Sequence, residues 1–244
     1  MKHTLTALSI AVIMFASDAS ASDNDDLPNL KKTDDCVQCD LSDAANSWAG
    51  LSVGANVSYV DVGSAVSFPI PGLRADLKGQ EEGVGISLEY MTVINPNVLG
   101  GFEVMLSKNF GQAEDNATYR GVNINRSKWD VGAERSIRLL GKLAFAPSEA
   151  SLFYFGAGIE NIHMKFRETT TGGWDAGAVY DHSDTMKGHV VVAGFDHSLS
   201  NKLSLRFEVS HTSLDKQLYE GVFSGPTWID PDVQAIRVGL RYNF

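Results

Sequence analysis

Few residues in this chain have the type and spacing for chemistry. His211-Thr212-Ser213 sets an imidazole and a hydroxyl two positions apart, on one side of an extended segment, as a general base and its nucleophile require. Asp215, Glu220 and Asp232 are the carboxylates close enough in sequence to orient that imidazole. The plainer reading is an interfacial histidine beside a loop serine. Cys36-Val37-Gln38-Cys39 holds the only two cysteines, as a local disulfide or a thiol-exchange pair. The acidic neighbours Asp34, Asp35 and Asp40 disfavour a thiolate, haem attachment would need a histidine where Asp40 stands, and zinc would need two further ligands. Asp181, His182 and Asp184, with His189 beyond, collect acids and imidazoles without a spacing that defines a metal geometry, and solvated loop charge accounts for them. No metal or cofactor is expected. The remaining charges of interest recur at alternate positions: Glu89, Glu103, Glu160, Asp196 and Glu208 against Arg138, Lys142, Arg206, Arg237 and Arg241.

What must position these residues is a set of eight segments with period two, the mark of a strand with two unlike faces. The last shows it most cleanly: Ile236, Val238, Leu240, Tyr242 and Phe244 share one face, Arg237, Gly239, Arg241 and Asn243 the other. The earlier segments run 49–59, 84–94, 101–110, 129–145, 152–164, 189–199 and 203–213. The sixth is least regular, because Val190, Val191 and Val192 are all apolar; Asp196 is assigned to its inner face. Connections alternate between short turns (95–97, 147–149, 200–202) and long loops (60–83, 111–128, 165–188, 214–233). An even strand count with short turns at one end and long loops at the other predicts an all-β, eight-stranded, antiparallel up-and-down transmembrane barrel with short periplasmic turns and four long external loops. Eight strands leave an interior just wide enough for side chains. The five acids and five bases are therefore expected to pair inside it, since an unpaired buried charge costs several kcal/mol. Phe102, Phe145, Phe153, Phe155, Tyr242 and Phe244 lie near the short turns, and Tyr59, Phe110 and Trp129 near the long loops, as two interfacial girdles would.

Residues 1–21 read as a signal peptide, with Lys2 and His3 before an apolar stretch from Leu5 to Ala16 and small residues Ala19-Ser20-Ala21 at the cleavage point. Residues 22–47 carry seven aspartates, Asp23 to Asp43, against Lys31 and Lys32, which predicts a mostly disordered periplasmic leader. The barrel domain is expected over 48–244. A formal net charge of −10 and the lack of a basic stripe argue against nucleic acid as a partner.

Three stretches carry a resemblance to the opacity-protein-like, OmpA-like family of small bacterial surface barrels. Ile236-Arg237-Val238-Gly239-Leu240-Arg241-Tyr242-Asn243-Phe244 resembles that family's closing strand, Leu203-Ser204-Leu205-Arg206-Phe207-Glu208 its penultimate strand, and Gly141 to Phe145 with Leu152 to Gly158 its central hairpin. The resemblance implies outer-membrane location after cleavage near Ala21, with outer-membrane lipids and lipopolysaccharide as surroundings. It also implies Tyr242 and Phe244 as a signal to the barrel assembly machinery. It implies a non-enzymatic role in envelope integrity, adhesion or surface antigenicity, through loops that meet a host or surface ligand and carry Tyr119, Trp174, Tyr180, Tyr219 and Trp228. The alternatives are a small-conductance porin and a lipid A acyl hydrolase. For the latter, His211-Thr212-Ser213 resembles the His-x-Ser of lipid A deacylase barrels, with Leu214 where that family has Asn and Gln234 near the place of its acid.

Overall fold

The computed structural model describes residues 41–67, 73–111, 113–119, 122–170, 177–221 and 225–244. The signal peptide, most of the leader, Cys36, Cys39 and Trp174 lie outside the described residues. A short helix α1 (Leu41–Asn46) precedes ten strands: β1 (Gly50–Ser67), β2 (Leu73–Asn95), β3 (Val98–Phe110), β4 (Ala113–Tyr119), β5 (Val122–Ser148), β6 (Ser151–Thr170), β7 (Val179–Ser198), β8 (Leu203–Leu214), β9 (Gln217–Gly221) and β10 (Gly225–Asn243). Eight of them close a ring, β1-β2-β3-β5-β6-β7-β8-β10 and back to β1, with every neighbour antiparallel. β4 and β9 continue β3 and β8 upward after short breaks; Gly111, at φ 141°, supplies the left-handed residue that the first break needs.

The register fixes the barrel's geometry. Partners followed once round the ring run Val53, Leu88, Val104, Leu139, Ile159, His189, Ser213, Asp232 and then Gly63, a displacement of ten residues along β1 (63 − 53). With a rise of about 3.3 Å per residue and strands about 4.8 Å apart, that shear over eight strands tilts them by about 40°.

The outer surface has two zones. From the short-turn end up to Tyr59, Val84, Leu106, Ile137, Ile159, Val191, Val209 and Ile236, most outward positions are aliphatic or aromatic, and most of these are exposed, Val57 at 61% and Ile86 at 59%. About nine tilted residues on each strand suffice for a hydrocarbon core. Above that line the outward residues turn polar: Asp61, Glu82, Lys108, Arg135, Asn161, His189, His211 and Gln234. This line is called the seam below.

The strands do not end at the seam, as the long-loop expectation requires. β5 has 27 residues and β2 has 23, so the staves rise well above it, and most of 60–83, 111–128, 165–188 and 214–233 is strand. Above the seam most inner positions are apolar, with Ser64, Glu81 and Glu168 buried among them. Val60, Val62, Leu77, Val131, Ala133, Ile162, Met164, Phe166, Met186, Leu214, Ile229 and Val233 form one buried cluster. The expectation that polar side chains fill the lumen therefore holds only for its lower part.

A second correction concerns the expected start at residue 48. Ala44 and Ala45 of α1 are buried, and Trp48 is 2% exposed, its indole N–H donating to the Ser148 carbonyl at 3.4 Å. The end of the leader is thus folded into the barrel's lower mouth, where Trp48 packs with Leu99, Ala144, Ala146 and Leu152.

Candidate functional site

Between these two apolar layers lies the charged part of the lumen. Its carriers come from seven of the eight staves, each pointing inward because strand alternation sends the lipid-facing residues the other way. Arg206 lies at its centre, donating to Asp196 through Nε and Nη2, both at 2.8 Å, to Glu103 at 2.7 Å and to Glu89 at 3.0 Å. Lys142 pairs with Glu89 and, at 3.1 Å, with Glu103. Arg138 lies 2.9 Å from Glu103 and 2.8 Å from Glu208, while Arg237 reaches Glu208 at 3.4 Å. Arg241 closes the lower side on Glu89 at 3.0 Å and Asp196 at 3.1 Å. All are buried, with Arg138 and Glu103 at 0% exposure. In so dry a setting each charge is retained only because several partners share it.

Of the ten charges singled out in the sequence, nine meet in this web. Glu160 stands apart, accepting hydrogen bonds from the Ser136 and Thr212 hydroxyls, each at 2.7 Å. Three buried lumen residues were missed, two of them in contact with this web. Tyr154 donates to Glu208 at 3.0 Å, and its ring lies under the Lys142 ammonium at 3.7 Å and the Arg206 guanidinium at 5.0 Å. Gly194 is its direct partner across β6 and β7, and a Cβ there would collide with the Tyr154 ring. Trp48 is the second: its ring faces the Arg241 guanidinium at 5.7 Å. The third is Glu81, 2% exposed in the apolar upper lumen, whose carboxylate accepts from the Ala133 N–H at 3.0 Å. Burial raises its pKa to about 7 despite that hydrogen bond. In-phase spacing was the available sign for two of them, Tyr154 with Glu160 and Glu81 with Glu89.

His211 and Ser213 both face outward, exposed, just above the seam. Ser213 is directly opposite Asp232 on β10 and His189 on β7, whereas His211 faces Gln234 and Val191. No hydrogen bond joins His211, Ser213, His189 or Asp232 among the described residues. Asp215 lies just past the end of β8, and Glu220 lies on β9 with its side chain undescribed. Asp181 is paired with Arg167 at 2.6 Å, and Asp184 accepts from the Gln217 amide and the Thr185 N–H. His182 and His189 fall on opposite parities of β7, so the strand does not bring them together. Tyr242 and Phe244 stack edge to face on the outer surface at 5.3 Å, in a lower girdle that also holds Tyr90, Phe102, Phe145, Phe153, Phe155 and Phe195. Tyr59, Phe110 and Trp228 are exposed above. Trp129, Tyr119, Tyr180 and Tyr219 lie on strands, their side chains undescribed.

The model of the outer membrane protein beta-barrel domain matches residues 37–244, which includes the stretch around α1. No curated protein sequence matches the chain. Among solved structures, the chain is similar to the outer membrane protein OprG of Pseudomonas aeruginosa, at 16% identity over 80% of this chain and 96% of that one, with a TM-score of 0.56. It is also similar to the attachment invasion locus protein Ail of Yersinia pestis (15% identity, 80% and 99% covered, TM-score 0.38) and to Neisserial surface protein A (13%, 78% and 97%, 0.41). At these identities the likeness concerns the fold.

Proposed function

Because the chain belongs to the family of outer membrane protein β-barrel domains, placing it in the bacterial outer membrane, we propose that it is a non-enzymatic surface protein, a barrel that carries a rigid external platform. One observation carries this reading: the lumen is filled along its length while the strands continue far beyond the lipid-facing belt. Trp48 and its neighbours fill the lower mouth, ten charges the middle, and an apolar cluster the top. A barrel so filled anchors and displays; the outer hairpin ends are where a host or surface ligand would meet it.

Two measurements test the reading. Reconstituted in planar bilayers, the protein is expected to give no steady conductance; a reproducible open channel in the wild type would replace the display role with a small porin. In cells, shortening the β6–β7 hairpin by joining Lys165 to Ser183, a directly paired position, should abolish surface attachment while leaving the heat-dependent gel shift of the folded barrel intact.

A second reading, hydrolysis of an acyl ester in an outer-leaflet lipid, is favoured by the placement of Ser213 between Asp232 and His189 at the seam. It requires the mass of outer-leaflet lipid from expressing cells to fall by an acyl chain, and Ser213→Ala to restore it. Unchanged lipid masses in wild-type cells would remove it.

A further inference from the structure

Above the seam the ring of backbone hydrogen bonds opens between two strands. β7 keeps β6 beside it up to Val179, which lies opposite Thr169. Its ladder with β8 ends at Gly188 and Leu214, with one further bond from the Asp215 N–H to the Lys187 carbonyl at 2.8 Å. β9, which continues β8, pairs with β10 alone. β7 and β9 therefore run past each other with no ladder between them among the described residues. β2 and β4 also part above Glu82, but they rejoin at Arg74–Thr118 and Leu73–Tyr119, so that split is shut from above.

The bond from Asp215 fixes which backbone groups line the gap. With the Lys187 carbonyl on that side, strand alternation places there the N–H and C=O groups of Thr185, Ser183 and Asp181, while those of Asp184 and His182 turn to β6. The Thr185 N–H is taken by the Asp184 carboxylate at 2.7 Å. The backbone N–H and C=O of Ser183 have no hydrogen bond among the described residues. Exposed strand edges are commonly blunted by a bulge, a proline or a lysine. From Val179 to Met186 β7 has none of these, and the Asp181 carboxylate is drawn back over β6 by Arg167 at 2.6 Å.

Side chains say what the gap accepts. Phe166, Met186, Leu218 and Ile229 line a small apolar recess behind it, and the Gln217 amide spans it by donating to Asp184. We infer that the upper edge of β7 receives an extended segment of another polypeptide as an added strand. The added backbone supplies the partners that Ser183 lacks, and its inward side chains meet Asp184 and Met186, two residues apart on one face of β7. The segment it fits therefore carries a basic and an apolar residue at alternate positions. The apolar side chain enters the recess, and the basic one replaces the Gln217 amide on the Asp184 carboxylate. β9 can yield to it, because it is five residues long and its only ladder is with β10. The inference deepens the display reading, by naming the chemistry of what the platform holds.

The test uses the full-length folded barrel in lipid nanodiscs and the peptide Thr-Ile-Thr-Lys-Thr-Ile-Thr, whose Ile and Lys alternate on one face in either chain direction. The readout is amide hydrogen exchange, residue by residue, by NMR. In the free protein the Ser183 N–H should exchange fast and the His182 N–H, turned to β6, slowly. Millimolar peptide should slow Ser183 by about tenfold or more and leave His182 unchanged. The same peptide N-methylated along its backbone keeps the side chains and should give no slowing. Ser183→Pro removes a donor that no internal ladder uses, so the heat-dependent gel shift should survive while binding, read at the Asp181 N–H, is lost. Asp184→Asn should abolish the preference for Lys over Gln at the peptide's centre. Absence of slowing, equal slowing by the N-methylated peptide, or full binding to Ser183→Pro overturns the assignment. So does a Ser183 N–H already slow without peptide, whether the edge is closed by its own chain or, if the protection fades on dilution, by a second copy. Should Ser183→Pro lose the gel shift, the N-methylated comparison on the wild type decides. A conducting channel, or attachment that survives shortening of the β6–β7 hairpin, would overturn the display reading and leave these exchange results standing.

Discussion

Below the seam and above it, the same strands run in the same alternation, yet the barrel is built inside out from one half to the other. Below, Leu51, Val53, Val57 and Tyr59 of β1 face outward and Ser52 and Ser58 inward. Above, Val60, Val62 and Val66 face inward, and Asp61 outward. The backbone does not change; the solvent outside does. Where lipid surrounds the wall, apolar side chains gain nothing by turning in, and the inside can afford charge only through mutual pairing. Where water surrounds it, burying apolar surface regains its usual value of roughly 25 cal/mol per Å², and the interior becomes an ordinary core.

The two halves should break differently. Arg138→Met removes the cation shared by Glu103 and Glu208 at 0% exposure, and should cost about 3–5 kcal/mol, with the heat-resistant band lost at lower temperature. Met164→Ala, in the upper core, should cost about 2–5 kcal/mol. Its effect should be confined: amide exchange should rise in β5 and β6 above Arg135 and stay slow below. Global loosening from that change would show the halves to be one cooperative unit. On the outer face, Leu139→Arg places a charge in the lipid belt and should cost about 2–4 kcal/mol, while Gln234→Arg, just above the seam, should stay within about 0.5 kcal/mol. Equal costs would mean that the seam is not the lipid boundary.

That inversion also explains what could be read from the sequence. The eight staves and the ten inward charges were legible because period two persists below the seam. The upper half was not, because the apolar set changes parity between Tyr59 and Val60 and again between Ala235 and Ile236. Two adjacent apolar residues there look like the end of a strand, and the continuation like a loop. Trp48 was hidden for another reason: a six-residue helix has no stability of its own and exists only because the lower mouth receives it.

Glu81 tests the comparison most finely, as an acid 2% exposed in the upper half, away from the cations that hold those below. Among the described residues its carboxyl has one donor, the Ala133 N–H, and apolar surroundings such as Val60, its direct partner on β1. With the folded pKa raised to about 7 from 4.5, the folded state holds this proton more tightly than the unfolded chain. The stability it contributes is therefore complete below about pH 4.5 and is lost as pH rises through about 7. Glu81→Gln keeps an acceptor for Ala133 and removes the titration, so the variant should be more stable than the wild type at pH 8, by on the order of 2 kcal/mol, and about equal at pH 4.5. Urea midpoints at the two pH values decide it. A wild-type midpoint that does not fall between pH 4.5 and 8 relative to the variant would mean that the upper lumen solvates this carboxylate, and that the inside-out contrast stops short of β2.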